Sequence, residues 1–407
     1  MTLPLDLQPE KLERVAVFRA LVLGDMLCAV PALRALRHAC PNAELTLVGL
    51  PWAREWAQRL LHVDRFIEFP GYPGLPETIP DLDALPGFLQ QMQAEHFELL
   101  LQMHGSGTIV NPLLAACGAA HLAGFALPGR FCPEPALFAP WPNTGHEIER
   151  LLTLTDHLGM ARHGTQLELP VTDSDRIELA TVWPGAFGGE PFVCLHAGAQ
   201  LASRRWPPER FAAVADALAA RGFTIVLTGT SGEAALAARL REAMHHPVVD
   251  LLGKTSLWTL GALLERARLL VCNDTGVSHI AAAIDTPSVV VSCGADVSRW
   301  APLETRRHQV LWQPMDCRPC DHAACPYEHG CATAIEAQAV IQAAEAMLHR
   351  TSDRRARPRP ENRPLTDIAA APRPDERPQL RDDEDTVIEW NSTVGEHLAN
   401  VADRATS

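Results

Sequence analysis

The feature that most constrains this chain is a grammar of short β-branched runs alternating with helical stretches, and it occurs twice. Arg14-Val-Ala-Val-Phe18 reads as a strand. Gly24-Asp25 follows, then Met26 to Cys40 with Leu27, Val30, Leu33 and Leu36 at helical spacing. Leu45 to Val48 is a second strand and Phe97 to Leu101 a later one. This β-α-β order implies a parallel sheet with helices on both faces. The pattern restarts at Phe192 to Leu195, a strand, with a loop over Gly198 to Arg205. Pro207 to Arg221 reads as a helix opened by two prolines and stopped by Gly222. Strands over Thr224–Leu227, Leu269–Cys272 and Ser288–Val291 then alternate with helices over Leu257–Ala267 and Val277–Ile284. Two Rossmann-like halves imply a cleft between them, where α/β sheets place ligands.

The chain has 407 residues, 47 % of them hydrophobic, enough for two domains with their own cores. The expected division is an N-terminal Rossmann-like domain over 1–180 and a C-terminal one over 185–350, with the boundary in the polar, then Gly- and Pro-rich stretch 172–190. Glu336 to Arg350 reads as a final helix. Beyond it Arg, Pro, Asp and Glu dominate, so 351–407 is expected to be a solvated, disordered tail, with a short weak helix over Thr393–Arg404 as the alternative.

The formal net charge of -14 argues against nucleic acid as a partner, because phosphate backbones want a basic surface. No apolar run reaches the length of a membrane span, and Met1–Glu10 lacks the basic start and apolar stretch of a signal peptide. The expected compartment is the cytoplasm. The eleven cysteines agree with that, since most sit singly in apolar segments.

Three segments carry chemistry. At Gly24-Asp25 a glycine is expected to turn the chain tightly and a carboxylate to sit at a helix mouth; Asp25 serving only as a helix cap is the equal alternative. In His196-Ala-Gly-Ala199 and Ser203-Arg-Arg-Trp-Pro-Pro208, Gly198 allows a ligand close to the backbone. Arg204, with Arg205 as a secondary candidate, suits a diphosphate, although for this segment standing alone two solvated arginines and a packing tryptophan are the favoured account. In Cys272-Asn-Asp-Thr-Gly-Val-Ser-His279 a buried strand runs into a polar turn, where Asp274 or Thr275 caps a helix whose N–H groups face an anion. His279 needs a polar partner, from a ligand or from the core.

Together, in this order, the segments resemble glycosyltransferase family 9, known for the ADP-heptose:lipopolysaccharide heptosyltransferases. The matching stretches are RALVLGDMLCAVPALRALRHACPNAELTLV, LHAGAQLASRRWPPERFAAVADALAARGFTIVLTG and DLLGKTSLWTLGALLERARLLVCNDTGVSHIAAAIDTPSVVV, and the likeness spans Arg14 to Leu348. The resemblance implies a GT-B fold, two Rossmann-like domains facing across a cleft, with acceptor on the N-terminal side and nucleotide sugar on the C-terminal side. It implies an inverting, metal-independent transfer of a heptose or related sugar from a nucleotide diphosphate donor, ADP-heptose favoured, to a lipid-linked glycan of the lipopolysaccharide core type. No cofactor is implied. A lipid-linked acceptor implies peripheral membrane contact at the cytoplasmic face of the inner membrane.

The family's general base falls on Asp25, next to Gly24. Its basic residue before Trp-Pro falls on Arg204 and its ribose-associated acid on Asp250, four before Lys254-Thr-Ser-Leu257; Lys254 is a further candidate. Its Asp-Thr-Gly and following His fall on Asp274, Thr275, Gly276 and His279. Leu21 and Val22 stand where the heptosyltransferases carry a Ser pair, Arg204 replaces Lys, and Ala197 replaces Pro. A different sugar and acceptor, or a nucleotide-sugar binder or scaffold without turnover, are the alternative readings.

Cys317-Arg-Pro-Cys320, Cys325 and Cys331 form a C-x2-C-x4-C-x5-C cluster over 317–331. The first pair has zinc-ligand spacing, but the rest is too compressed for a common zinc finger. A structural metal, disulfides or reduced thiols all fit, and a structural role is favoured over a catalytic one.

Overall fold

The computed structural model describes residues 8–352. The expected tail 351–407, with its Thr393–Arg404 helix, lies outside the described residues apart from the end of the last helix.

The first half holds strands β1 (Arg14–Phe18), β2 (Glu44–Gly49), β3 (Arg65–Glu68), β4 (Leu99–Gln102), β5 (His121–Ala126) and β6 (Phe138–Pro140). The second holds β7 (Phe192–His196), β8 (Thr224–Leu227), β9 (Val249–Asp250), β10 (Leu269–Asn273), β11 (Ser288–Val291) and β12 (His308–Leu311). Each half is one six-stranded sheet, ordered β3-β2-β1-β4-β5-β6 and β12-β11-β10-β7-β8-β9. All pairings are parallel. Numbered from its own first strand, each sheet has the Rossmann order 3-2-1-4-5-6.

That order fixes where ligands can go. The strand order reverses between β1 and β4 and again between β7 and β10, and crevices open at the C-terminal ends of those strands. The paired ends are Phe18 with Gln102 and His196 with Cys272. The segments that follow them carry Asp25, in the first turn of a helix, and His104, Gly198 and Asp274 in loops.

The strands are buried on both faces, so they read as near-continuous apolar runs, as parallel sheets require. Val15, Val17 and Phe18 in β1 and Leu269, Leu270 and Val271 in β10 are fully covered. One core cluster runs across both halves, from Val15 and Leu27 to Val277, Ile280 and Val290. A second cluster is confined to the C-terminal half, where Trp206, Phe211 and Leu218 meet Val340 and Met347 of the final helix, Ala337–Ser352.

The stretch 172–190 contains more order than its composition suggests. Asp173–Val182 is a helix started by a capping box between Thr172 and Asp175. It docks on the Leu257–Arg266 helix, where Arg176 pairs with Glu265 at 2.9 Å. Arg59 of the first half reaches Asp175 at 2.7 Å and lies 3.7 Å over the Trp258 ring. Such a planar guanidinium stacks and forks at once.

Candidate active site

The helix after β1 begins earlier than apolar periodicity indicates, at Leu23, so Gly24 and Asp25 lie in its first turn. Gly24 does not make a tight turn; its φ is not positive. Its small size serves packing instead. A Cβ there would come within 2.9 Å of His279 Cδ2 and 3.7 Å of Gly276 Cα, so the two halves meet through glycine. Asp25 does not cap the helix either, because the N-cap is Val22 and makes no side-chain bond.

Asp25 faces a cavity of roughly 350 Å³ lined by residues of both halves, among them Val22, Glu77, His104, Glu147, Gln200 and Arg299. Burial pushes its carboxyl up from 3.8 to about 6, Arg19 pulls it back, and Glu147 pushes it further up. Arg19 Nη2 stands 3.8 Å from Asp25 Oδ1, an ion-pair distance rather than a hydrogen bond. Arg19 is engaged elsewhere: it donates to the Asp25 backbone carbonyl at 3.0 Å, to the Met103 carbonyl, and to Glu147 at 3.1 Å. Asp25 is thereby left as a base whose proton affinity lies near neutral pH.

Glu147 organises this arrangement, and nothing in the sequence marked it. It opens the Glu147–His157 helix, is 2 % exposed, and receives Arg19, Arg150 at 3.4 Å and Arg299 at 2.9 Å. Burial would raise its carboxyl, but the three guanidiniums outweigh burial and hold it below its ordinary value. The preceding His146 caps the same helix, accepting from Ile148 N–H at 3.2 Å on Nδ1 and donating from Nε2 to Ala301 O of the second half at 2.6 Å.

On the second-half side, Thr275 is the cap of the Gly276–Ala283 helix and accepts from Val277 N–H at 3.4 Å. Asp274 precedes it. Burial raises its carboxyl, while a 2.9 Å bond from Ser292 and the cations Arg204 and Arg318 pull it down. Arg204 donates to Cys320 O at 3.2 Å, and its Nε has no partner among the described residues. Arg205 donates to Ala199 O at 2.7 Å and so shapes the loop.

His279 lies against the first half, 4 % exposed, with Nδ1 3.8 Å from Cys28 Sγ and its ring against Gly24. Burial pushes it down to about 4, so the imidazole is neutral. The polar partner it requires is a thiol of the opposite half. Asp250 pairs with Arg241 at 2.5 Å and accepts from Leu252 N–H, and Lys254 donates to the Asp250 carbonyl at 2.8 Å.

Two further residues escaped the sequence reading. Asn273, fully buried, accepts from Trp206 N–H at 3.0 Å and donates to Ala197 O at 2.6 Å. It ties the loop after β7 to the end of β10; its place inside Asn-Asp-Thr-Gly was the available signal. Glu233 lies across the loop after β7, so that a Cβ on Gly198 would fall 1.7 Å from its Oε1. A side chain at position 198 would have to displace this carboxylate, which accepts from Thr230 N–H at 2.8 Å.

Cys317, Cys320, Cys325 and Cys331 are free thiols, so the structure contains no disulfide among them. Among the described residues, no group of three or more His, Cys, Asp or Glu side chains is arranged to hold a metal. The 317–331 segment works as a brace: Arg318 donates to Ser292 O at 2.9 Å, and Cys320 N–H donates to Gly294 O at 2.7 Å.

Two parallel sheets of Rossmann order, with a cavity lined from both halves and Asp25 in its wall, have the architecture of GT-B glycosyltransferases. Sequence comparison agrees. A profile of glycosyltransferase family 9 (heptosyltransferase) matches residues 87–330, and the chain belongs to that family. Lipopolysaccharide heptosyltransferase 3 of Escherichia coli K12 is 25 % identical over 302 residues, covering 69 % of this chain and 82 % of that protein. Lipooligosaccharide heptosyltransferase 2 of Haemophilus ducreyi is 32 % identical over 290 residues, covering 66 % and 80 %. Among solved structures, a family 9 glycosyltransferase from Veillonella parvula superposes with a TM-score of 0.69 at 21 % identity, over 83 % of this chain and 97 % of that one. The E. coli ADP-heptose lipopolysaccharide heptosyltransferase II gives 0.66 at 17 % identity, over 84 % and 99 %. The chain is thus a glycosyltransferase with the GT-B fold.

Proposed function

We propose that the enzyme moves a heptose from a nucleotide diphosphate donor, ADP-heptose by preference, onto a hydroxyl of a lipopolysaccharide core glycan, with inversion and without a metal. The observation that carries this reading is Asp25: a carboxylate tuned to about 6, on the first-half wall of a cavity that the second half completes.

Asp25 takes the proton of the acceptor hydroxyl as its oxygen attacks the anomeric carbon. One C–O bond forms while the bond to the diphosphate breaks on the opposite face. The departing diphosphate gains negative charge, which Arg204 and the N–H groups at the start of the Gly276–Ala283 helix stabilise. Asp250, Lys254 and Glu233 stand around the ends of β8 and β9, where the nucleoside would lie. Asn273 and His279 hold the loops and the two halves in register, which supplies orientation. With a lipid-linked acceptor the enzyme works at a membrane surface; no described helix is long and apolar enough to cross one.

The test begins with thermal shifts in ADP, UDP, GDP, CDP and dTDP, since a ligand at about a hundred times its Kd stabilises by roughly 2.7 kcal/mol. A shift with ADP supports the donor. Turnover of ADP-heptose that survives Asp25→Asn in a folded protein would refute the mechanism, and stabilisation by another diphosphate alone would refute the donor.

A further inference from the structure

Three loops meet at the C-terminal edge of the second sheet: the one after β7 with Ser203 and Arg204, the one after β10 with Asp274, and the one after β11 with Ser292 to Ala295. The cysteine segment stitches them together. Cys320 donates its N–H to Gly294 O at 2.7 Å, and its carbonyl accepts from Arg204 Nη2 at 3.2 Å. Ser203 donates its hydroxyl to His322 O at 2.5 Å and its N–H to Ala323 O at 3.2 Å.

Arg318 reaches further, to the carboxylate of Asp274. Its Nη1 donates to Ser292 O at 2.9 Å and to Gln313 O at 3.3 Å. Its Nη2 donates to Ala295 O at 2.5 Å and to the Ser292 hydroxyl at 3.1 Å. That hydroxyl donates in turn to Asp274 Oδ2 at 2.9 Å. A hydroxyl that accepts from a guanidinium is polarised and its own proton is aimed at the carboxylate, so Asp274 is held through Ser292.

Asp274 needs to be held. It directly precedes Thr275, the cap of the Gly276–Ala283 helix, so its negative charge lies at a helix start that favours anions. Left uncompensated, it would repel a diphosphate and draw Arg204 toward itself. Arg204 and Arg318 both pull the Asp274 carboxyl down against its burial. The two differ in what else they do. Arg318 directs both Nη atoms into the protein, whereas Arg204 keeps an Nε without a partner among the described residues.

We infer that Arg318 is a positioning residue of the transferase: it pins and neutralises Asp274 through Ser292, which leaves Arg204 available to the departing diphosphate. Arg318 itself touches no substrate. This role presupposes the donor site proposed above, and it makes the cysteine segment a working part of that site.

Calorimetry with ADP on the full chain, beside melting curves without ligand, tests the role. Arg318→Gln keeps hydrogen-bond donors and loses the charge, and should bind ADP about tenfold more weakly. Arg318→Lys keeps the charge and loses the fork, so it should melt lower yet retain most of the affinity. Ser292→Ala, a milder change, cuts the link between the two charges and should also weaken ADP binding. The decisive variant adds Asp274→Asn to Arg318→Gln. With no carboxylate left to neutralise, most of the lost affinity should return. A brace that only holds loops in place is not rescued by removing a charge. Unchanged ADP affinity in both Arg318→Gln and Ser292→Ala overturns the inference, as does a loss that Asp274→Asn leaves uncorrected. A wild type that binds no ADP refutes the donor reading itself, and the role of Arg318 falls with it.

Discussion

Glu147 accepts a 2.9 Å hydrogen bond from Arg299 Nε, and this bond joins the two halves of the protein in the wall of the cavity that Asp25 also lines. The same carboxylate holds Arg19, the guanidinium that would otherwise clamp Asp25. One buried acid therefore sets both the closure of the cleft and the basicity of the group inside it.

Glu147→Gln should lower stability by about 3 kcal/mol or more, because it leaves buried guanidiniums without their counter-charge. Glu147 also pushes the Asp25 carboxyl upward. Its removal should move the acidic limb of the rate profile to lower pH, provided the variant folds. Chemical denaturation and the pH dependence of kcat/KM check both effects. A limb that stays in place would show that Glu147 does not tune Asp25.

Asp25→Asn should reduce turnover by about a hundredfold to ten-thousandfold while ADP still binds. In the wild type the rate should rise with pH through about 6 and then level off, since only the ionised carboxylate accepts the proton.

The same shift makes a stability prediction of opposite flavour. The folded carboxyl titrates near 6 and the unfolded one near 3.8, so between those values the folded state binds more protons. The contribution of this group is fully present below about 3.8 and is lost as pH rises through about 6. At pH 7 to 8 Asp25→Asn should therefore raise stability, by up to about 3 kcal/mol, and should do little at pH 4. Paired melting curves at the two pH values would reveal it.

Gly24→Ala should weaken the contact between the halves. The added Cβ would lie 2.9 Å from the His279 ring, whose position is fixed by burial. Overpacking of this kind costs about 1 to 3 kcal/mol, against a gain of roughly 0.5 to 1 from a better helix residue. The double variant with His279→Ala should be less destabilised than the sum of the singles, and additivity would show that the two residues do not touch.

Arg204→Ala should weaken ADP binding by about tenfold to a hundredfold, and Arg204→Lys by less, because a point charge replaces a fork. Calorimetry with ADP decides it; an unchanged Kd would remove Arg204 from the diphosphate site.

The order of strands and helices was legible because parallel sheets need apolar runs and crossovers need periodic ones, both local properties. Thr224–Leu227 and Ser288–Val291 have the same bounds in the sequence pattern and in the structure. The helix over Asp173–Val182 was not legible, since its stretch is polar and only the Thr172/Asp175 cap signals it. Gly24 and Gly198 stood out as glycines, yet the reason for each lies in another part of the chain: His279 in one case, Glu233 in the other.

The sequence by itself determined two Rossmann halves and which loops leave their switch points, because hydrophobic period and turn chemistry act over a few residues. Only the tertiary structure decided what surrounds Asp25. Glu147 and Arg299 are 152 positions apart, and Arg19 and Glu147 are 128 apart. Charges so distant in sequence influence one another only after folding has brought them within a few ångströms and removed the water between them, and a carboxyl's pKa is set by that burial and by those neighbours.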